Sequence, residues 1–196
     1  MLFNACPERV RLSVDVSSED SEPTIPVWDG GYGRLRYKPQ NWTWRSGLIA
    51  PAPCAVFDID GVLADAEHRQ HLIRGRGRNW HLFFEMCGKD ALIEEVANMG
   101  HLLDPAMRIV LCTARPQSVA GETLQWLEEH GVRWDLLVMR EHGDFSYAVE
   151  FKQYTVAELR AYGFTPLMAV EDDPRNKAMF DAEGIPCVYI HSGYHS

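Results

Sequence analysis

Ala55-Val56-Phe57-Asp58-Ile59-Asp60-Gly61-Val62-Leu63 carries two acids into an otherwise apolar run. From Cys54 to Ile59 the apolar residues follow one another instead of alternating with polar ones, which marks a strand covered on both faces, as in a parallel sheet. Gly61 then permits a tight turn. The same kind of run recurs at Arg108–Thr113, Asp135–Met139, Pro166–Glu171 and Pro186–Ile190. Between these runs, Ser118–His130, Phe151–Tyr162 and Pro174–Glu183 have helical spacing, and Gly131, Gly163 and Gly184 stand where each helix should stop. Asn79 to Leu103 also reads as helical. Strand and helix alternate, so the expected fold class is α/β, an open parallel sheet flanked by helices.

In such sheets the active site forms beyond the carboxyl ends of the strands, where strand order reverses. Four strand tips or helix starts carry polar groups there. Asp58 and Asp60 end the first run, and burying two like charges together is costly unless a cation or a proton is shared. Ile109–Cys112 leads into Thr113-Ala114-Arg115, Lys152 begins a helix after the Arg140–Asp144 loop, and Leu167–Val170 leads into Glu171-Asp172-Asp173.

This ordered set resembles the haloacid dehalogenase-like (HAD) phosphohydrolases, over residues 54 to about 191. The resemblance implies a Rossmann-like sheet. Thr-Ala-Arg at 113–115 and Arg140-x-x-Gly143-Asp144 are similar, more narrowly, to the phosphatase domain of bacteriophage polynucleotide kinases. It also implies roles that suit phosphoryl transfer, which needs in-line attack and neutralised equatorial charge. Asp58 would be the nucleophile, forming an aspartyl-phosphate. Asp60 would protonate the leaving oxygen and later take a proton from water. Thr113 and Lys152 would hold phosphoryl oxygens. Mg²⁺ would sit among Asp58, the main-chain carbonyl of Asp60, Glu171 and Asp172. Asp60 favours a phosphatase, since the resembling ion pumps carry Thr there and dehalogenases lack that second Asp.

The interval between Thr113 and Lys152 holds one helix and one strand, so any cap is a small insert at about 64–107. The stretch from His68 to His81 contains Arg69, Arg74, Arg76 and Arg78 and no acid. Arginine forks match phosphate oxygens, so Arg74, Arg76 and Arg78, with Arg115 and Arg140, are candidate substrate contacts. A small lid leaves the mouth open to a polymer end, which favours a nucleic-acid 3′-phosphate or a nucleotide over a sugar phosphate. The alternatives are a small-metabolite phosphatase or phosphotransferase of the same superfamily, and a non-catalytic interaction module on this fold.

Composition agrees with an ordinary globular protein: 196 residues, 46% hydrophobic and 24% charged. No apolar run approaches the roughly 20 residues of a membrane span, and the first dozen residues lack the core of a signal peptide. The five cysteines are scattered with no CxxC pair, so a reducing cytoplasm is expected. Within residues 1–50 the bases Arg9, Arg11, Arg34, Arg36, Lys38 and Arg45 balance the acids Glu8, Asp15, Glu19, Asp20, Glu22 and Asp29, so the net charge of −9 falls on residues 51–196. A polyanion must then be met by local basic clusters or by a bound cation.

Residues 1–50 read as an extension containing strands, with Val10, Leu12, Val14 and Val16 alternating and Arg34–Lys38 alternating again. Pro51-Ala52-Pro53 is expected to join the extension to the phosphatase domain at 51–196. Trp42, Trp44 and Arg45 have the composition of a base-stacking patch, but anchoring the extension is the preferred reading. His68/His71 and His191/His195 lack spaced partners for zinc. Gly75-x-Gly77 lacks the strand and third glycine of a dinucleotide loop, and no GxxxxGK[ST] occurs in the sequence.

Overall fold

The computed structural model describes residues 39–195. The alternating stretches at Val10–Val16 and Arg34–Lys38 lie outside the described residues. Six strands form one sheet: β1 (Trp42–Trp44), β2 (Pro53–Phe57), β5 (Arg108–Pro116), β6 (Leu136–Arg140), β7 (Thr165–Glu171) and β8 (Cys187–Tyr189). Their order is β1-β6-β5-β2-β7-β8. β1 runs antiparallel to β6, and every other pairing is parallel. β2 is central, with Val56 opposite Val110 on one side and Ala169 on the other.

Alternate residues of the central strands feed two cores, which is why their sequence shows no polar alternation. Ala55, Phe57, Ile109, Leu111 and Leu137 pack with α3 (Glu94–Leu102) and α4 (Ala120–Glu129), whose Trp126 is fully buried. Cys54, Val56, Val110, Cys112 and Val138 pack instead with α5 (Ala148–Ala161) and α6 (Pro174–Ala182), through Phe151, Leu159 and Phe180. The helix stops fall where expected, and Gly131, Gly163 and Gly184 all have positive φ.

Two departures matter for function. The apolar run at Cys54–Ile59 is strand only to Phe57; Ile59 begins a turn in which its carbonyl accepts from Val62, Leu63 and Ala64 N–H. The turn aims Asp58 and Asp60 differently from two residues of one strand. The expected helix at Asn79–Leu103 is broken into α2 (Trp80–Glu85), a 3₁₀ turn at Met86–Lys89, the short strand β4 (Ala91–Leu92) and α3. β4 pairs with β3 (Ala64–Asp65), and between the two strands lies the insert that also holds α1 (Glu67–Gln70). The break falls at Asp90, whose carbonyl accepts from Trp126 Nε1 at 2.7 Å and whose carboxylate is buried.

Trp42 and Trp44 serve the fold. Trp42 is 4% exposed, with its ring 4.7 Å from that of Tyr162 and 6.4 Å from that of Phe164. No helix among the described residues is long and apolar enough to cross a membrane.

Candidate active site

The carboxyl ends of β2, β5 and β7 converge with the start of α5 on one acidic pocket. Asp58 N–H donates to Val170 O at 3.0 Å, which places the Asp58 side chain beside the tip of β7. Lys152, 1% exposed, lies one turn into α5, which begins at Ala148 because the Glu150 carboxylate accepts Tyr147 N–H at 3.1 Å. Lys152 Nζ reaches Asp58 Oδ2 at 2.9 Å and Glu171 Oε2 at 2.5 Å. The other oxygen of Glu171 accepts the N–H groups of Asp172 and Asp173, both at 3.1 Å. Burial raises the Asp58 carboxyl well above its usual range; Lys152 opposes this, while Glu171, Asp172 and Asp60 add to it. Lys152, pulled down by burial, is raised by Asp58 and Glu171 and stays charged.

Asp58 Oδ1 is buried with no hydrogen-bond partner, and a buried acceptor left unpaired is costly. Asp58, Glu171 and Asp172 offer oxygens that lie within 4.8 Å of one another. A Cβ on Gly61, whose φ is +80°, would stand 2.1 Å from Asp172 Oδ2. Only glycine lets that carboxylate sit so close to the Asp60–Gly61 turn. An orphaned oxygen beside two further carboxylates and a bared backbone is a donor set for a hard divalent cation.

Asp60 turns the other way. Its Oδ1 accepts Arg115 Nε at 3.0 Å, Arg115 Nη2 at 2.6 Å and Arg69 Nη2 at 2.5 Å. Both guanidiniums are wholly buried. Behind them, Asp90 accepts from Arg69 Nε at 2.8 Å and from Arg115 Nη2 at 2.8 Å, and His68 Nε2 lies 2.8 Å from its Oδ1. Phe83 closes this cluster, its ring centroid 4.1 Å from the Arg69 guanidinium carbon. Burial alone would raise Asp60, but Arg115 and Arg69 outweigh it and hold the carboxyl at about 2. The Asp60 side chain is therefore tied to the two guanidiniums, and the oxygen cluster is made by Asp58, Glu171 and Asp172.

The other expected residues divide. Thr113 is buried at the site, where its Oγ1 accepts Arg115 N–H at 3.2 Å and keeps its own proton to donate. Arg115, read from sequence as a substrate contact, instead spends its donors on Asp60, Asp90 and Thr123. Arg140, also read as a substrate contact, staples the loop before α5, with Nη1 on Ser146 O at 2.5 Å and its guanidinium over the Phe151 ring. Arg74, Arg76 and Arg78 are exposed in the insert between α1 and α2. Arg69, Asp90 and His68 belong to the site although sequence reasoning gave them no role in it. Arg69 stood in view inside the basic stretch, nine residues past Asp60, where helix α1 turns it back.

Residues 52–195 match the model of the polynucleotide kinase PNKP phosphatase domain. The chain belongs to that family. It is a haloacid dehalogenase-like phosphatase, an enzyme that hydrolyses phosphate esters. No curated protein matches the sequence. Among solved structures, a chain of the Pnkp1/Rnl/Hen1 complex is similar with a TM-score of 0.57 and 19% identity, over 72% of this chain and 46% of that one. A chain of the Pnkp1/Rnl/Hen1 RNA repair complex gives 0.56 and 20%, over 81% and 48%. The class C acid phosphatase from Bacillus anthracis gives 0.52 and 12%, over 76% and 70%. At these identities the likeness is one of fold, and this phosphatase chain spans less than half the length of the two repair-complex chains.

Proposed function

We propose that the protein is a magnesium-dependent phosphomonoesterase that removes a phosphate from the 3′ end of a nucleic acid, or from a nucleotide, through an aspartyl-phosphate on Asp58. The observation that carries this reading is the split between two neighbouring carboxylates. Asp58 keeps one oxygen unpaired beside Lys152, while Asp60 is fixed by two guanidiniums on the other side of the turn.

That geometry supports the following steps. An oxygen of Asp58 attacks phosphorus and the bond from phosphorus to the ester oxygen breaks. Asp60 hands a proton to the departing oxygen, so that an alcohol leaves and not an alkoxide. Water then attacks the phosphorus of the aspartyl-phosphate, gives its proton to Asp60, and the Asp58–phosphorus bond breaks to release phosphate. Asp60 is an anion in the free site, held at about 2. It becomes an acid by taking the proton of the bound phosphomonoester monoanion, whose negative charge raises the neighbouring carboxyl. Lys152 and Thr113 meet the equatorial oxygens. Asp58, Glu171, Asp172 and the Asp60 carbonyl would hold the magnesium ion, which would supply positive charge to the transferring group.

The substrate class rests on two supports. The family is that of polynucleotide kinase phosphatase domains, and Arg74, Arg76 and Arg78 stand exposed in the insert that begins directly after the Asp58–Asp60 turn. A panel of 3′-phosphorylated oligonucleotides, mononucleotides and sugar phosphates, each with and without magnesium, tests the proposal. Highest kcat/KM on the oligonucleotides is the expected result. A wide margin in favour of sugar phosphates overturns the substrate, and no hydrolysis with any metal overturns the catalytic reading in favour of an interaction module.

A further inference from the structure

After β8 the chain stays at the site. Ile190 N–H donates to Glu171 O at 2.9 Å. The Ser192 hydroxyl donates to Asp172 Oδ2 at 2.6 Å and accepts Tyr194 N–H at 3.2 Å. The Tyr194 hydroxyl donates to Asp65 Oδ1 at 2.6 Å. His195 lies over the same acids, its Nε2 3.4 Å from Asp172 Oδ2 and its Nδ1 3.7 Å from Asp173 Oδ2. Ser192 Cβ is also one of the atoms that a Cβ on Gly61 would meet, at 3.1 Å. Ile190, Ser192, Tyr194 and His195 thus reach the acidic tip of β7, the Asp60–Gly61 turn and the β3 strand that opens the insert.

We propose that Ser192, in the segment that follows β8, sets the metal affinity of the site as the positioning residue for Asp172, while Tyr194 binds Asp65 of β3 away from the oxygen cluster. The proposal rests on the magnesium reading above. Asp172 Oδ2 holds both the serine proton and the His195 ring nitrogen, and the hydroxyl limits how this carboxylate can turn toward Asp58 and Glu171. A serine suits this task because it orients a carboxylate without adding charge. Partners of this kind, one step removed from the ion, typically change metal affinity by about 10–100-fold when lost. Tyr194 acts at the other end of the segment: its bond lowers the Asp65 carboxyl below its ordinary value and couples the segment to the insert that carries the exposed arginines.

Calorimetric titration of Mg²⁺ into the full chain without substrate tests the assignment. Four proteins are compared: wild type, Ser192→Ala, Ser192→Thr and Tyr194→Phe. Ser192→Ala is expected to weaken binding about 10–100-fold with an unchanged metal-free thermal midpoint. Ser192→Thr, which keeps the hydroxyl, is expected to restore the affinity, and Tyr194→Phe to stay within about twofold of wild type. Wild-type affinity in Ser192→Ala overturns the Ser192 assignment alone. Failure of Ser192→Thr to restore it, or an equal loss in Tyr194→Phe, overturns the role of the hydroxyl. A folded wild-type protein that binds no magnesium overturns the metal reading and that assignment together.

Discussion

Asp58 and Asp60 are two residues apart, yet their surroundings push them in opposite directions. On the Asp58 side, one lysine is shared between two carboxylates, Asp172 stands close by, and burial wins, so the carboxyl is raised. On the Asp60 side, two buried guanidiniums converge on a single oxygen and win over burial. The contrast shows that depth alone does not set the behaviour of a buried acid; the ratio of cations to anions around it does. Carboxyl pairs driven apart in this way are where nucleophile and proton-transfer duties separate.

The strongest way to break the contrast is to neutralise one member. Asp58→Asn is expected to lower turnover at least about 10⁴-fold with the fold intact, measured as phosphate release alongside a circular dichroism spectrum. Near-normal turnover would move the nucleophile elsewhere. The next lever is the guanidinium pair. Arg115→Met leaves the half-buried Asp60 and the buried Asp90 with one guanidinium between them, and breaking such a network is expected to cost about 3–5 kcal/mol, read from urea unfolding. Stability equal to wild type would mean that Arg69 suffices.

Glu158 sharpens the same lesson. It is buried on α5, and burial with the nearby Glu141 charge raises its carboxyl to about 7 from the ordinary 4.5. A raised acid stabilises the fold fully below the ordinary value, and that contribution is lost as pH rises through about 7. Glu158→Gln is therefore expected to match wild type near pH 5 and to exceed it at pH 8 by on the order of 3 kcal/mol, in unfolding measured across pH. Parallel curves would show that burial is relieved by another route. The smallest effect is expected from the exposed arginines. Replacing Arg74, Arg76 and Arg78 by Ser is expected to raise KM for an oligonucleotide about tenfold at low salt, less at high salt, and to leave a mononucleotide unchanged. Equal effects on both substrates would place these side chains on the terminal phosphate itself.

Much of this site is legible in the sequence because the acids and the lysine sit at ends of elements that announce themselves. Apolar runs stop at Asp58, Thr113 and Glu171, and Lys152 lies one turn into a helix, so topology gathers them. Arg69, Asp90 and Arg115 resist such reading for a different reason. Asp90 lies in a stretch with helical spacing, and only the tertiary demand of two arginines and of the β3–β4 pairing breaks that helix. Arg115 follows Thr113 at a strand tip and so suggests substrate, but the irregularity between Thr113 and Pro116 in the β5–β6 pairing accompanies its side chain's path into the core. Ser192 is invisible to motif analysis, since one hydroxyl in a polar segment carries no pattern.

The three residues Trp42–Trp44 cover the outer side of β6, whose Leu136, Leu137 and Val138 are all buried. Composition places the joint at Pro51, after this strand. A polypeptide shortened to begin there would uncover a row of amides and carbonyls along an apolar margin, the template on which separate molecules stack into aggregates. Loss of solubility in such a truncation would then reflect a missing edge guard and not a damaged catalytic centre.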